Sequence, residues 1–268
     1  MKDEAIIKRS NSLFEFEDLA WFPGTIRESM TDCLRFIVKI LQLYTPIIPL
    51  IKEGLQKTSS DTIIDLCSGG GGAMEQIQKE LNRNSEKQTK IFLTDKFPNI
   101  NAFELIAEKS AGTISFCSLS VDAANVPGTM KGFRTIFSAF HHFNKPFAKS
   151  VIQSAVNANQ GIGIFDGGEH GAFAIIGLIL IHPFIFFFCT PFFKPFRLSR
   201  IIFTYIIPII PFCQIWDGVI SIVRLYTPEE LLQMAHEVST ENYFWKSGKV
   251  KNNLGIHVTY LLGYPKQR

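Results

Sequence analysis

The chain has 268 residues, 46% hydrophobic and 19% charged, which is too apolar and too sparsely charged for a disordered protein. Its 27 basic and 24 acidic side chains leave a formal charge of +3, too little for a nucleic-acid-binding surface. The five cysteines, at 33, 67, 117, 189 and 213, have neither metal-ligand nor disulfide spacing, so no bound metal is expected and reduced thiols fit a cytosolic setting.

The opening Met1-Lys2-Asp3-Glu4 leads into mixed charge, so no secretory leader is expected. From Thr31 onward, Leu34, Ile37, Val38, Leu41 and Tyr44 recur at spacings of three and four. That periodicity predicts a helix, which Pro46 and Pro49 then bend or break. Residues 1–60 therefore read as a helical cap on a larger unit. Between 61 and 169, short apolar runs alternate with helical patterns. Strands are predicted at 62–66, 91–94, 113–116, 135–139 and 161–165. Met74, Ile77 and Leu81 mark one helix between them, and residues 103–109 a second. Such alternation indicates a parallel sheet with crossover helices.

Residues 171–216 break the rhythm. They hold ten of the 25 phenylalanines and five of the 13 prolines. No charge occurs over 172–193; Lys194, Arg197 and Arg200 then form a basic patch, and 201–216 is again uncharged. Ordinary composition resumes at 217. Thr227-Pro228-Glu229-Glu230 combines a cap, a first-turn proline and a capping-box acid. Two closing strands are predicted at 243–250 and 256–262.

Four signals stand at predicted strand ends, where open α/β sheets bind ligands. The first is Asp65-Leu66-Cys67-Ser68-Gly69-Gly70-Gly71-Gly72, a strand-to-helix turn that lets backbone approach a ligand. Phosphate loops and dinucleotide folds share such turns, but no Lys follows here, so a nucleoside triphosphate is disfavoured. The second is Asp95, placed to accept both hydroxyls of a ribose. The third is Asp122-Ala123, which could face an adenine. The fourth is Ser138-Ala139-Phe140-His141-His142.

This ordered set resembles the class I S-adenosylmethionine-dependent methyltransferases over residues 61–169 and the closing strands. The resemblance implies an α/β, Rossmann-like, seven-stranded and mostly parallel sheet with an antiparallel closing hairpin. The methyltransferase domain would run from 61 to 268, interrupted by the hydrophobic helical insertion 171–216. Family members usually carry Gly where Cys67 stands. By this resemblance Asp65, Cys67, Ser68, Gly69, Gly71, Asp95, Asp122, Ala123 and Ser138 would form the S-adenosylmethionine site. Gly69 and Gly71 would pass under the methionine part, Asp95 would hold the ribose and Asp122 the adenine.

Methyl transfer needs a base only when the acceptor must lose a proton. The candidates are His141, His142 and Glu169, with Asp166 facing the acceptor. Read as a helix, Asp217, Ser221 and Arg224 share one face, either as an acceptor site or as an internal network. The insertion is long enough for a bilayer crossing. A two-span hairpin would place Lys194, Arg197 and Arg200 on the outer side, against the positive-inside tendency. A shallow, monotopic contact is therefore preferred, with the three cations on anionic headgroups. A lid over a greasy pocket is the soluble alternative. The reading is a cytoplasmic, membrane-associated methyltransferase with a lipid-like or hydrophobic small-molecule acceptor and no nucleic-acid partner. Its rivals are a nicotinamide-dependent oxidoreductase and a non-enzymatic membrane adaptor keeping the fold.

Overall fold

β-Branched and aromatic runs build the sheet of the computed structural model, which describes residues 13–83, 87–239 and 241–266. The opening run of mixed charge lies outside the described residues. Five strands are parallel: β1 (Thr62–Leu66), β2 (Lys90–Leu93), β3 (Ile114–Phe116), β4 (Phe133–Phe137) and β5 (Ile162–Gly167). β6 (Tyr243–Lys251) and β7 (His257–Pro265) form the antiparallel closing hairpin, with β7 against β5. The seven-stranded order is β3-β2-β1-β4-β5-β7-β6. Strand order reverses between β1 and β4, so a crevice opens outside their carboxyl ends.

Helices cover both faces. α2 (Ile48–Lys57), α3 (Met74–Asn82) and α4 (Ile100–Lys109) pack Ile51, Ile77, Phe103 and Ile106 into one core. α5 (Lys145–Asn157) and α9 (Pro228–Val238) pack Val151, Ile152, Leu231 and Met234 into the other. α9 begins with the predicted capping box, Thr227 and Glu230 bonding reciprocally. α1 (Gly24–Ile40) starts seven residues before the periodicity that announced it. Pro46 and Pro49 occupy the first turns of a short 3-10 helix (Thr45–Ile47) and of α2, so they start helices as well as end one. β4 lies two residues earlier than predicted, because Ser138 takes a left-handed φ of 47° that no strand continues through.

The insertion forms α6 (Ala172–Cys189), α7 (Leu198–Tyr205) and α8 (Ile209–Arg224). Ala172–Phe192 is the one continuous helical segment among the described residues long and apolar enough to cross a membrane, with a mean hydropathy of 2.5 and almost none of its apolar stretch buried. Both its ends return to the same body. One follows β5 directly; at the other, Phe193 packs on Phe36 of α1 at 4.9 Å between ring centroids. Phe186, Ile210 and Cys213 join Phe22, Ile26 and Met30 in a third core beneath it.

The basic patch departs from expectation. Arg200 is 1% exposed, pairs with Asp32 of α1, and donates to the carbonyls of Phe193 and Pro195 at 2.9 and 3.1 Å. Arg197 bonds Glu28 at 2.7 Å and Asp32 at 3.3 Å. Of the three cations only Lys194 is exposed. Desolvating a guanidinium requires a carboxylate, and α1 supplies two. The patch is thus an internal clasp, not a headgroup-facing tip.

Candidate active site

The glycine-rich turn leaves β1 through four left-handed residues: Cys67 (φ 57°), Gly69 (54°), Gly71 (87°) and Gly72 (44°). A Cβ on Gly70 would lie 2.7 Å from the Thr31 carbonyl oxygen, and one on Gly71 would lie 2.2 Å from Ile106 Cδ1. The turn is therefore pressed between α1 and α4, and only glycine fits there. Cys67 is a non-glycine residue in the left-handed region, so it carries a local strain.

Asp95, just past β2, holds the turn from the next strand. Its Oδ2 accepts the Gly69 N–H at 2.7 Å and its Oδ1 the Phe97 N–H at 2.7 Å. Asp65 works from beneath, accepting the hydroxyls of Ser68 at 2.6 Å and Thr135 at 2.7 Å. Burial pushes the Asp65 carboxyl up to about 7, against those two donors. Asp122 accepts the Ala124 N–H at 2.8 Å. The Ser138 hydroxyl meets that of Tyr44, which also accepts the Gly167 N–H at 3.2 Å. Through Tyr44 the helical cap is bonded to the ends of two sheet strands.

These residues surround a cavity of about 450 Å³, within the range of small-molecule sites. Of the residues named for the cofactor site, Cys67, Ser68, Gly69, Asp95, Asp122, Ala123 and Ser138 line it. Asp65 and Gly71 stand behind the wall, shaping the turn. Glu17, Asp18, Arg27, Arg35, Tyr44 and Phe143 also line it. Arg27 and Tyr44 come from the helical cap. Nothing in the sequence Phe14-Glu15-Phe16-Glu17-Asp18 marks Glu17 and Asp18 as part of a strap that folds over a strand end.

The two histidines part company. They lie on a 3-10 turn, Phe140–His142, where successive side chains point about 120° apart. His142 lines the cavity; His141 is buried, with Nδ1 3.3 Å from Asp166 Oδ1, and neither it nor Asp166 lines the cavity. Glu169 lies elsewhere too, 3.0 Å from His257 Nδ1. His142 is ringed by Asp18 at 3.0 Å, Glu15 at 3.3 Å and Glu17 at 3.4 Å. Burial would lower its pKa, but these carboxylates outweigh burial and raise it well above the ordinary value.

The stripe on α8 resolves into an internal network. Asp217 accepts the Phe16 and Glu17 N–H groups at 2.7 and 3.1 Å. Ser221 donates to Glu15 at 3.0 Å. Arg224 bonds Glu15 at 2.9 Å and the His142 carbonyl at 2.9 Å. None of the three lines the cavity, so the acceptor-site expectation gives way to a clamp that fastens the strap.

No family model and no curated protein matches the chain. Solved structures do. Human N-acetylserotonin methyltransferase, in complex with S-adenosylmethionine, aligns at 10% identity over 96% of this chain and 64% of its own, with a TM-score of 0.51. A SAM-dependent methyltransferase from Aquifex aeolicus aligns at 12% identity over 88% and 97%, with a TM-score of 0.50. An O-methyltransferase family protein from Burkholderia thailandensis aligns at 12% identity over 87% of this chain, with a TM-score of 0.49. The chain spans 59% of that last protein's length. The fold is that of the class I S-adenosylmethionine-dependent methyltransferases.

Proposed function

We propose that this chain is an S-adenosylmethionine-dependent methyltransferase working at a membrane surface on a lipid-like or hydrophobic small-molecule acceptor. The observation that carries the reading is the cavity wall itself. A glycine turn, Asp95 and Asp122 converge there in strand order, on a sheet closed by an antiparallel β7. The antiparallel closure weighs against a nicotinamide-dependent oxidoreductase, whose dinucleotide fold continues in parallel.

The residues suit the cofactor. The turn's backbone can approach a ligand only because glycines stand there. The carboxylate oxygens of Asp95 and Asp122 have lone pairs beyond those used by backbone N–H groups. Asp95 would hold ribose hydroxyls and Asp122 an adenine amino group. The cofactor would supply a methyl group on a positively charged sulfur, transferred by direct displacement. The chain's part is to orient the acceptor and to exclude water. The strap and Tyr44 close the cavity, and Phe143 and Phe147 make its acceptor side apolar. His142, held as a cation, is a poor base. Burial, reinforced by Glu15, Asp217 and Asp18, pushes Glu17 up to about 8. An acceptor that must lose a proton would give it to Glu17 only where that carboxyl is ionised, above about pH 8.

Membrane contact rests on the outer face of the insertion. Phe173, Phe184, Phe187 and Phe188 are 64–83% exposed. A helix of 18 residues, about 27 Å long, with both ends fastened to one body, favours lying in the interface over crossing it.

Titration calorimetry with S-adenosylhomocysteine in mild detergent tests the enzyme reading. Saturable binding is expected, and Asp95→Ala should weaken it by about 1–3 kcal/mol, the scale for unpaired buried groups. A folded protein with no binding would refute it. Phe184→Ser/Phe187→Ser/Phe188→Ser should lose sedimentation with neutral phosphatidylcholine vesicles; unchanged sedimentation would refute the surface contact.

A further inference from the structure

Three ligand-type side chains meet where the strap crosses the end of β4. Glu15 comes from the strap, and His141 and His142 from the 3-10 turn after the strand. One donor atom from each lies within 4.8 Å of the other two. All three side chains are almost wholly enclosed. Two imidazoles and one carboxylate suit divalent transition ions such as zinc and iron(II), whereas magnesium and calcium take oxygen donors. The cysteine spacing that argued against a bound metal does not bear on a histidine–carboxylate set.

The surroundings match. Metal ligands are oriented by outer partners, carboxylates above all. His141 Nδ1 stands 3.3 Å from Asp166 Oδ1, and His142 Nε2 stands 3.4 Å from Glu17 Oε1. Glu15 accepts from Ser221 at 3.0 Å and from Arg224 at 2.9 Å. The gap from His142 Nδ1 to Glu15 Oε2 is 3.3 Å. That is the edge of a tetrahedron of donors each about 2.0–2.1 Å from a central ion. Glu15, Glu17, Asp18 and Asp217 bring four carboxylates to this corner, and Arg224 bonds two of them. A doubly charged ion fits that balance once His142 gives up its proton to become a ligand. We propose that Glu15, His141 and His142 hold one divalent transition-metal ion, with Asp166, Glu17, Ser221 and Arg224 as outer partners. The ion ties the strap to the sheet. Three protein ligands leave at least one position for water or an acceptor oxygen, and of the three His142 lines the cavity.

The test uses the metal alone, so its outcome is independent of the methyltransferase reading. Chelator-treated full-length protein in mild detergent is titrated with zinc chloride by calorimetry, and with cobalt(II) by visible absorption. One ion per chain is expected, with the visible bands of cobalt(II) on nitrogen and oxygen donors. His142→Gln should lose about a hundredfold or more in zinc affinity, and Asp166→Asn about ten- to a hundredfold. His236→Ala, on the exposed side of α9, should bind as wild type does. If His142→Gln does not fold, His141→Asn carries the same comparison. Absence of a saturable site in the wild type would overturn the proposal. So would full affinity in the folded His142 or His141 variant. A cobalt spectrum dominated by a near-ultraviolet thiolate band would place the ion on cysteine instead and overturn it as well.

Discussion

Replacing Asp32 by Ala probes the clasp that fastens the insertion to the cap. Asp32 is fully buried in α1. One oxygen pairs with Arg200 and Arg197; the other accepts from Asn99 Nδ2 at 3.3 Å. Arg197 keeps Glu28 after the change, whereas Arg200 keeps only two backbone carbonyls. Removing one partner of a buried pair leaves an uncompensated charge, at a cost of about 3–5 kcal/mol. For a chain of this size each kcal/mol lowers the melting midpoint by about 2–4 °C, so the drop should be about 6–20 °C. Circular dichroism melts in mild detergent would read it. Asp32→Ala/Arg200→Met should recover at least half of the loss, because the stranded cation is gone. A single variant within about 1 kcal/mol of wild type would refute the reasoning. So would strict additivity of the two changes, since residues in contact should couple.

Cys67→Gly should be tolerated, while Cys67→Val should cost about 2 kcal/mol or more, because a β-branched residue resists the left-handed φ of 57°; a wild-type urea midpoint for the valine variant would contradict that backbone. Asp65 gives a pH signature. Burial raises its folded-state pKa to about 7 from an ordinary 3.8, so its favourable contribution is full below that ordinary value and is lost as pH climbs through 7. Asp65→Asn should therefore flatten the decline in urea stability between pH 5 and pH 8; parallel slopes in the two proteins would refute the assignment. Tyr44→Phe removes the hydroxyl joining the cap to Ser138 and Gly167 and should cost about 1–2 kcal/mol, which unchanged unfolding curves would disprove.

Most of the sheet was legible because its strands are short β-branched runs with ligand-bearing turns after them. The Asp65–Gly72 turn, Asp95 and Asp122 were readable for the same reason: strand ends fix position, and residue type fixes chemistry. Features set by long-range packing were not. α5 is the exception, with a plain local signature in its Asn144 cap and first-turn Pro146. The strap around Glu17 has no local signal, since its place is dictated by Asp217, Ser221 and Arg224 some two hundred residues away. Those three residues do share a helix face, as their spacing foretold; only their partners could reveal a clamp. Lys194, Arg197 and Arg200 misled for a related reason. Sequence shows a cluster of charge but not the buried Asp32 that claims two of its members.

The placement of β7 also bears on how the chain is made. It pairs with β5 on one side and β6 on the other, yet follows both in sequence. While residues 257–265 are still within the ribosome, β5 has a bare edge and β6 has no neighbour. The apolar α6, which follows β5 directly, is already outside by then. A nascent chain at that stage shows an open strand edge next to a greasy helix, the combination most prone to self-association. Synthesis beside a lipid surface that takes up α6 early would shorten that exposure.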